Sequence, residues 1–186
     1  MIIMIGGVPC SGKSTLTRNI LSVLGSAEFV EPMKLFPCQK HELFPCQKHD
    51  DVLVVGRYEG GDQKFGGTDR MSYGAIPKFR DFINQEAPKH KHIFLEGDRF
   101  FRAVDIEWLI SEHNASVYVL TVSAEEEKRR HIQREDTQTE KWLAGRRSQI
   151  SNIMTNFMLM NDINVRPNDT LESSEKIKTE IIKLLT

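Results

Sequence analysis

The chain has 186 residues, 39% of them hydrophobic and 27% charged, with a formal net charge of −1. That length suits one domain with a substantial core, and a near-neutral balance gives no basis for tight, non-specific binding to nucleic acid. No long apolar run or low-complexity tract is present, and three cysteines without a legible secretory leader lead us to expect a soluble cytoplasmic protein with reduced thiols.

The apolar run at residues 1–5 predicts a first strand buried on both faces. A glycine-rich turn follows, then a helix over Lys13–Leu24 with Leu16, Ile20, Val23 and Leu24 at helical spacing and Gly25 as its stop. Short strands are predicted at 28–30, 52–55, 93–95, 117–122 and 163–165. Ile76, Phe79, Phe82 and Ile83 mark one intervening helix, and Val104, Trp108 and Leu109 mark another. Ser123 followed by Glu126 is a capping-box signature that opens a third at about Ala124. A turn at 135–138, a long helical pattern at 140–160 and a last helix over Leu171–Leu185 complete the chain. Strands alternating with helices imply an α/β three-layer sandwich around a mainly parallel sheet, as a single domain over 1–186.

One stretch repeats: Leu-Phe-Pro-Cys-Gln-Lys-His at 35–41 recurs at 43–49, and each copy is followed by an acid, Glu42 or Asp50. The duplication brings Cys38, His41, Cys46 and His49 close together in sequence, formally a zinc-type set. Duplication alone produces that pairing, so a duplicated surface loop over 35–50 is the expectation.

Gly7-Val8-Pro9-Cys10-Ser11-Gly12-Lys13-Ser14 fits the P-loop pattern G-x-x-x-x-G-K-[ST], directly after a predicted strand and directly before a predicted helix. Phosphate oxygens need several backbone N–H donors converging on one point, which calls for glycine at Gly7 and Gly12. The helix N-terminus adds its dipole. Lys13 supplies a charge for the outer phosphates of ATP, Ser14 a hydroxyl for Mg²⁺, and Cys10, Ser11 and Thr15 complete the nucleotide-binding loop. No chemistry is assigned to the Cys10 thiol.

A P-loop alone does not separate a kinase from a nucleotide-dependent switch. The strand near 93–95 runs into Glu96-Gly97-Asp98-Arg99, at the carboxyl end where α/β sheets bind ligands. A kinase needs a carboxylate beside the acceptor hydroxyl and another near the metal. Asp98 is assigned as the base and Glu96 as the metal-side acid, with the exchanged roles left open. Cations for the transferring phosphoryl group come from Arg129, Arg130, Arg134, Arg146 and Arg147 in a helical lid at about 125–150, and Arg130 and Arg134 share a helix face.

The order of these features, ending in Val165-Arg166-Pro167-Asn168-Asp169-Thr170, resembles the nucleotide and polynucleotide kinase group of P-loop proteins. That resemblance implies a loop at 166–170 beside the adenine, with Arg166 and Pro167 among its contacts. The stretch after the fourth predicted segment, with Arg57, Tyr58, Asp69, Arg70 and Tyr73, is the expected acceptor region, joined by Arg99. Tyr58 or Tyr73 would stack on a base, and Arg57 or Arg70 would bind a phosphate or a base edge. The Gly-Arg-Tyr, Gly-Gly-Thr-Asp-Arg and Leu-Glu-Gly-Asp-Arg combination is similar to bacteriophage P-loop kinases that phosphorylate 5-hydroxymethyluracil in DNA. The resemblance implies a DNA partner carrying a modified thymine and a place in the host cytoplasm. A nucleotide, a polynucleotide 5′-hydroxyl or another small hydroxyl compound stands as the alternative acceptor.

Overall fold

A computed structural model of the chain describes residues 1–30, 43–58, 66–135 and 137–186. Strand β1 (Ile2–Gly7) lies inside a seven-stranded sheet with β2 (Glu28–Val30), β3 (Cys46–His49), β4 (Val52–Val55), β5 (His92–Glu96), β6 (Ala115–Thr121) and β7 (Ile163–Pro167), in the order β2-β3-β4-β5-β1-β6-β7. The pairs β4–β5, β5–β1, β1–β6 and β6–β7 are parallel, while β2–β3 and β3–β4 are antiparallel. All six residues of β1 are buried, as expected of a parallel strand covered on both faces.

Side chains alternate across β1 and sort into two cores. Ile2 and Met4 pack with Phe79, Phe82, Phe100, Ile106 and Ile150, beneath α2 (Phe79–Glu86), α3 (Ala103–His113) and α5 (Glu140–Met154). Ile3 and Ile5 pack with Leu16, Ile20, Ile177 and Ile181 of α1 (Lys13–Leu24) and α6 (Leu171–Leu185). The sheet is therefore flanked by helices on both faces. Helix α4 (Ala124–Gln133) follows β6. Among the described residues no helix is long and apolar enough to cross a membrane.

The structure departs from the sequence expectations in three places. First, the second copy of the repeat is no surface loop. It supplies β3, with Phe44 and Cys46 buried in the core and Phe44 stacked on Phe82 at 4.2 Å between ring centroids. Cys46 and His49, three apart on one strand, point to opposite faces, so they cannot share a metal ion. The first copy, with Cys38 and His41, lies outside the described residues. Among the described residues no cluster of three or more His, Cys, Asp or Glu side chains is arranged to hold a metal.

Second, α5 stops at Met154, short of 160. The Asn156 side chain accepts a hydrogen bond from the Met158 N–H at 2.9 Å, a local alternative to helix, and Phe157 and Met158 are exposed. Third, the box at α4 is half formed. The Ser123 hydroxyl accepts from the Glu126 N–H, but the Glu126 carboxylate is drawn off by Arg129 and Arg130, and the Ser123 N–H donates instead to Asp169 at 2.8 Å.

Truncating Phe44 to alanine removes a fully enclosed ring. Phe44→Ala is expected to lower the unfolding free energy by about 3–5 kcal/mol in urea titrations. A loss near zero would show that the repeat contributes no core.

Candidate functional site

The turn between β1 and α1 is held open by backbone geometry that glycine alone takes without strain. Gly12 has φ +85°, and a Cβ there would sit 2.7 Å from Asn168 Nδ2. Cys10 also has a positive φ, 55°, a conformation uncommon for a residue with a side chain. Helix α1 begins at Lys13 without a side-chain cap, which leaves its first amides open for another acceptor. Lys13 is largely buried, and its ammonium donates to the carbonyls of Gly7 and Val8, both at 3.1 Å.

Strand β5 pairs with β1 in parallel, so its carboxyl end emerges beside this turn. Glu96 is the last residue of β5 and is buried. One of its oxygens accepts from the Ser14 hydroxyl at 3.1 Å, and the other, Oε2, is buried without a hydrogen-bond partner. Burial pushes the Glu96 carboxyl up to about 8, against the opposing pull of Lys13 and with the support of Asp69 and Asp98. Asp98 lies 3.8 Å from Lys13 and 2.9 Å from Arg146 of α5. Lys13, Ser14, Glu96 and Asp98 thus form one contiguous polar cluster.

Asp69 organises that cluster rather than facing outward. Its Oδ1 accepts from the N–H groups of Asp98 and Arg99, at 2.6 and 3.2 Å, and so clamps the turn after β5. Burial, then the charge of Asp98, raises its carboxyl above the ordinary range. Gly67 has φ +66°, and a Cβ there would collide with the Glu96 backbone carbonyl, so the chain before Asp69 can pack against the end of β5 only as glycine.

These groups open into a cavity of about 1070 Å³. Its described lining carries eight Lys or Arg residues against four Asp or Glu, in a chain whose net charge is −1. Cations are therefore concentrated here. Pro9 to Thr15 line its floor, Asn168 to Leu171 one wall, and residues of α4 and α5 another.

The predicted residues divide by position. Cys10, Ser11, Gly12, Lys13, Ser14, Thr15, Asp69, Tyr73, Asp98, Arg99, Arg130, Arg134 and Arg146 line the cavity. Gly7 and Glu96 are not among its lining residues. Arg130 braces two loops: it donates to the carbonyls of Cys10, Asn168 and Asp169, at 3.2, 2.8 and 3.0 Å, and its Nε is bound to Glu126. Hydrogen bonds from Arg129 and Arg130 hold the Glu126 carboxyl down to about 2.

Several expected contacts fall elsewhere. Arg166 is paired with Glu180 at 2.7 Å, and neither it nor Pro167 lines the cavity; Asn168 to Thr170 do. Arg147 pairs with Glu127 and Glu140, a brace between α4 and α5. The Tyr58 hydroxyl is buried, burial with the nearby Glu96 holds it well above its ordinary range, and the residue does not line the cavity. Arg57 and Arg70 are not on the cavity wall either, and Arg57 bridges in β fashion to Gly67.

Sequence reasoning placed Asn168 in the expected loop but gave it no role; its side chain donates to the Ser11 carbonyl at 2.7 Å and ties the β7 loop to the β1 loop. The available signal was an asparagine shortly after the last predicted strand, in the Arg-Pro-Asn-Asp-Thr run before the last helix. No protein-family model matches the chain, and no curated protein matches it.

The buried Glu96 has a measurable consequence. In the folded chain it keeps its proton to about pH 8, whereas unfolded it ionises near 4.5. Between those values the folded state holds the extra proton, so Glu96 makes stability fall as pH rises through this window and level off above it. His49 and His92, lowered by burial, act in the opposite direction near their ordinary range. Thermal melts of wild type and Glu96→Gln, without nucleotide or metal, separate the two effects: the mutant should gain on wild type between pH 5 and pH 8, and parallel curves would refute the assignment.

Proposed function

We propose that the protein is a kinase that transfers the terminal phosphoryl group of ATP to a hydroxyl. The observation that carries this reading is the meeting of two loops. The uncapped amino end of α1, with Lys13 and Ser14, lies against the carboxylates at the end of β5, and Lys13, Ser14 and Asp98 open into a cavity rich in arginine. The sequence resemblance favours the hydroxymethyl group of 5-hydroxymethyluracil in DNA as the acceptor.

Amides of the loop over 7–14 and the α1 dipole would hold the β and γ phosphates, and Lys13 would turn from the Gly7 and Val8 carbonyls toward the phosphate oxygens. Ser14 and Glu96 fit a hard divalent cation such as Mg²⁺, because the unpartnered, buried Oε2 of Glu96 sits in the same cluster as the Ser14 hydroxyl. Bound there, the cation would neutralise charge on the β and γ oxygens. Ionised Glu96 is what such binding requires, so loading the site releases a proton at pH 7.

Asp98, which lines the cavity beside Lys13, is assigned to orient and deprotonate the acceptor hydroxyl. The acceptor oxygen bonds to γ-phosphorus as the bond from phosphorus to the β–γ bridging oxygen breaks. ADP leaves, and the hydroxyl proton passes to Asp98. Arg146 and Arg134, on the cavity wall, supply charge to the equatorial oxygens. The exclusion of water is assigned to α4 and α5.

The test is transfer of labelled γ-phosphate from ATP with Mg²⁺ to DNA containing 5-hydroxymethyluracil, to unmodified DNA with a 5′-hydroxyl, and to a panel of nucleosides and nucleotides. Label on the modified DNA, abolished by Lys13→Ala and reduced about 10²–10⁴-fold in kcat by Asp98→Asn, is the expected result. Label confined to mononucleotides or 5′-ends would replace the acceptor and keep the kinase. Hydrolysis without any acceptor-dependent label would favour a nucleotide-dependent switch.

A further inference from the structure

The Tyr58 hydroxyl and Oε2 of Glu96 are both buried, and neither has a hydrogen-bond partner. A buried phenol ordinarily finds a partner, and an enclosed carboxylate oxygen without one is costlier still. The two atoms face the same gap. An ideal Cβ built on Gly67 would sit 2.5 Å from Glu96 Oε2 and 2.9 Å from the Tyr58 oxygen.

The backbone brings them there. Val55 of β4 pairs with Leu95 of β5 in parallel, so the chain leaving β4 runs beside Glu96. Arg57 and Gly67 then exchange backbone hydrogen bonds at 3.1 and 2.9 Å, which fixes Tyr58, the next residue, against the segment that carries Gly67. Gly56, with φ +121°, permits this close pass, because a Cβ there would run into the Gly67 backbone. Burial first, then the charge of Glu96, holds the phenol well above its ordinary range, so it remains an O–H donor.

We infer that Tyr58 is a positioning residue for the metal site: its hydroxyl donates to Oε2 of ionised Glu96 and holds the carboxylate so that Oε1 and the Ser14 hydroxyl face a divalent cation. This rests on the reading above of Ser14 and Glu96 as the metal-binding groups. Oε1 already accepts from Ser14 at 3.1 Å, so one side of the carboxylate is fixed and the other is not. An ionised carboxylate has about four lone-pair sites to satisfy. Lys13 spends its donors on the Gly7 and Val8 carbonyls and is claimed by the phosphates in the loaded site, whereas the Tyr58 hydroxyl has no other use. Tyr58 does not line the cavity, so it acts through Glu96 rather than on the nucleotide or the acceptor. Hydrogen-bond partners of a metal-binding carboxylate typically alter metal affinity roughly 10–100-fold.

Tyr118 supplies an internal control, because its hydroxyl donates to Glu180 at 3.2 Å in a pair away from the cavity. The chain has three tyrosines, so protein labelled with fluorotyrosine gives three fluorine resonances, each assigned by replacing that tyrosine with phenylalanine. The β,γ-imido analogue of ATP is added first in EDTA and then with excess Mg²⁺. The Tyr58 resonance is expected to move when Mg²⁺ is present and not with the analogue in EDTA, the Tyr118 resonance to stay in place, and the Tyr58 response to vanish in Glu96→Gln. Tyr58→Phe, which removes one oxygen and keeps the ring, should raise the Mg²⁺ midpoint at saturating analogue about tenfold or more, with affinity for the analogue in EDTA unchanged. A Tyr58 resonance indifferent to Mg²⁺, an unchanged midpoint in Tyr58→Phe, or an equal loss of analogue affinity with and without Mg²⁺ would overturn the assignment. The kinase reading fails separately: a Tyr58 response to Mg²⁺ with no phosphoryl transfer to any acceptor keeps the role of Tyr58 and removes the kinase, and Mg²⁺-dependent transfer with an unchanged midpoint in Tyr58→Phe does the reverse.

Discussion

The parallel pairing of β1 with β5 on one side and β6 on the other is the constraint on which the site depends. Parallel neighbours all end at the same edge of a sheet, so the loop after β1, the carboxylates after β5 and, through β6 and β7, the asparagine loop have to converge. Covering both faces of these strands requires helices on each side, and the alternation along β1 divides its four apolar side chains equally between the two cores. The hydrophobic effect holds the frame, and the frame decides which polar groups meet.

Those polar groups are costly to enclose, which explains how carefully they are tied down. Glu96 stays neutral near neutrality because the medium around it disfavours charge, while Asp98 is compensated by cations from two different elements, Lys13 and Arg146. Asp69 spends its acceptor capacity on backbone amides and fixes the turn. Arg130 and Asn168 perform the same service for the opposite loop. Such bracing positions reactive side chains within a narrow range before any ligand arrives, which is the form of preorganisation that phosphoryl transfer needs.

Much of this was legible in the sequence where periodicity and punctuation agreed. The first and last helices begin and end where the apolar spacing, Gly25 and the residues around Thr170 put them. The glycine pattern at 7–12 located the turn. Legibility failed where a distant partner decides. Arg166 looked like a ligand contact until Glu180, on the next helix, claimed it, and Tyr58 looked like a stacking ring until its hydroxyl was found buried beside Glu96. β3 was hidden by its own repetition, because a motif seen twice reads as an insertion when one copy is a structural strand.

That repetition leaves the sheet with two identical claimants for a single position. Because the copies are identical over seven residues and lie eight apart, a slip from one to the other would present the same side chains along β3. What selects the second copy is chain connectivity: Asp50 and Asp51 join it to β4 directly, whereas the first copy would carry a long hairpin loop at an added entropic cost of the order of 1 kcal/mol. The strand's identity thus rests on the shortness of a turn, and lengthening that turn would erode the distinction between two registers that packing cannot tell apart.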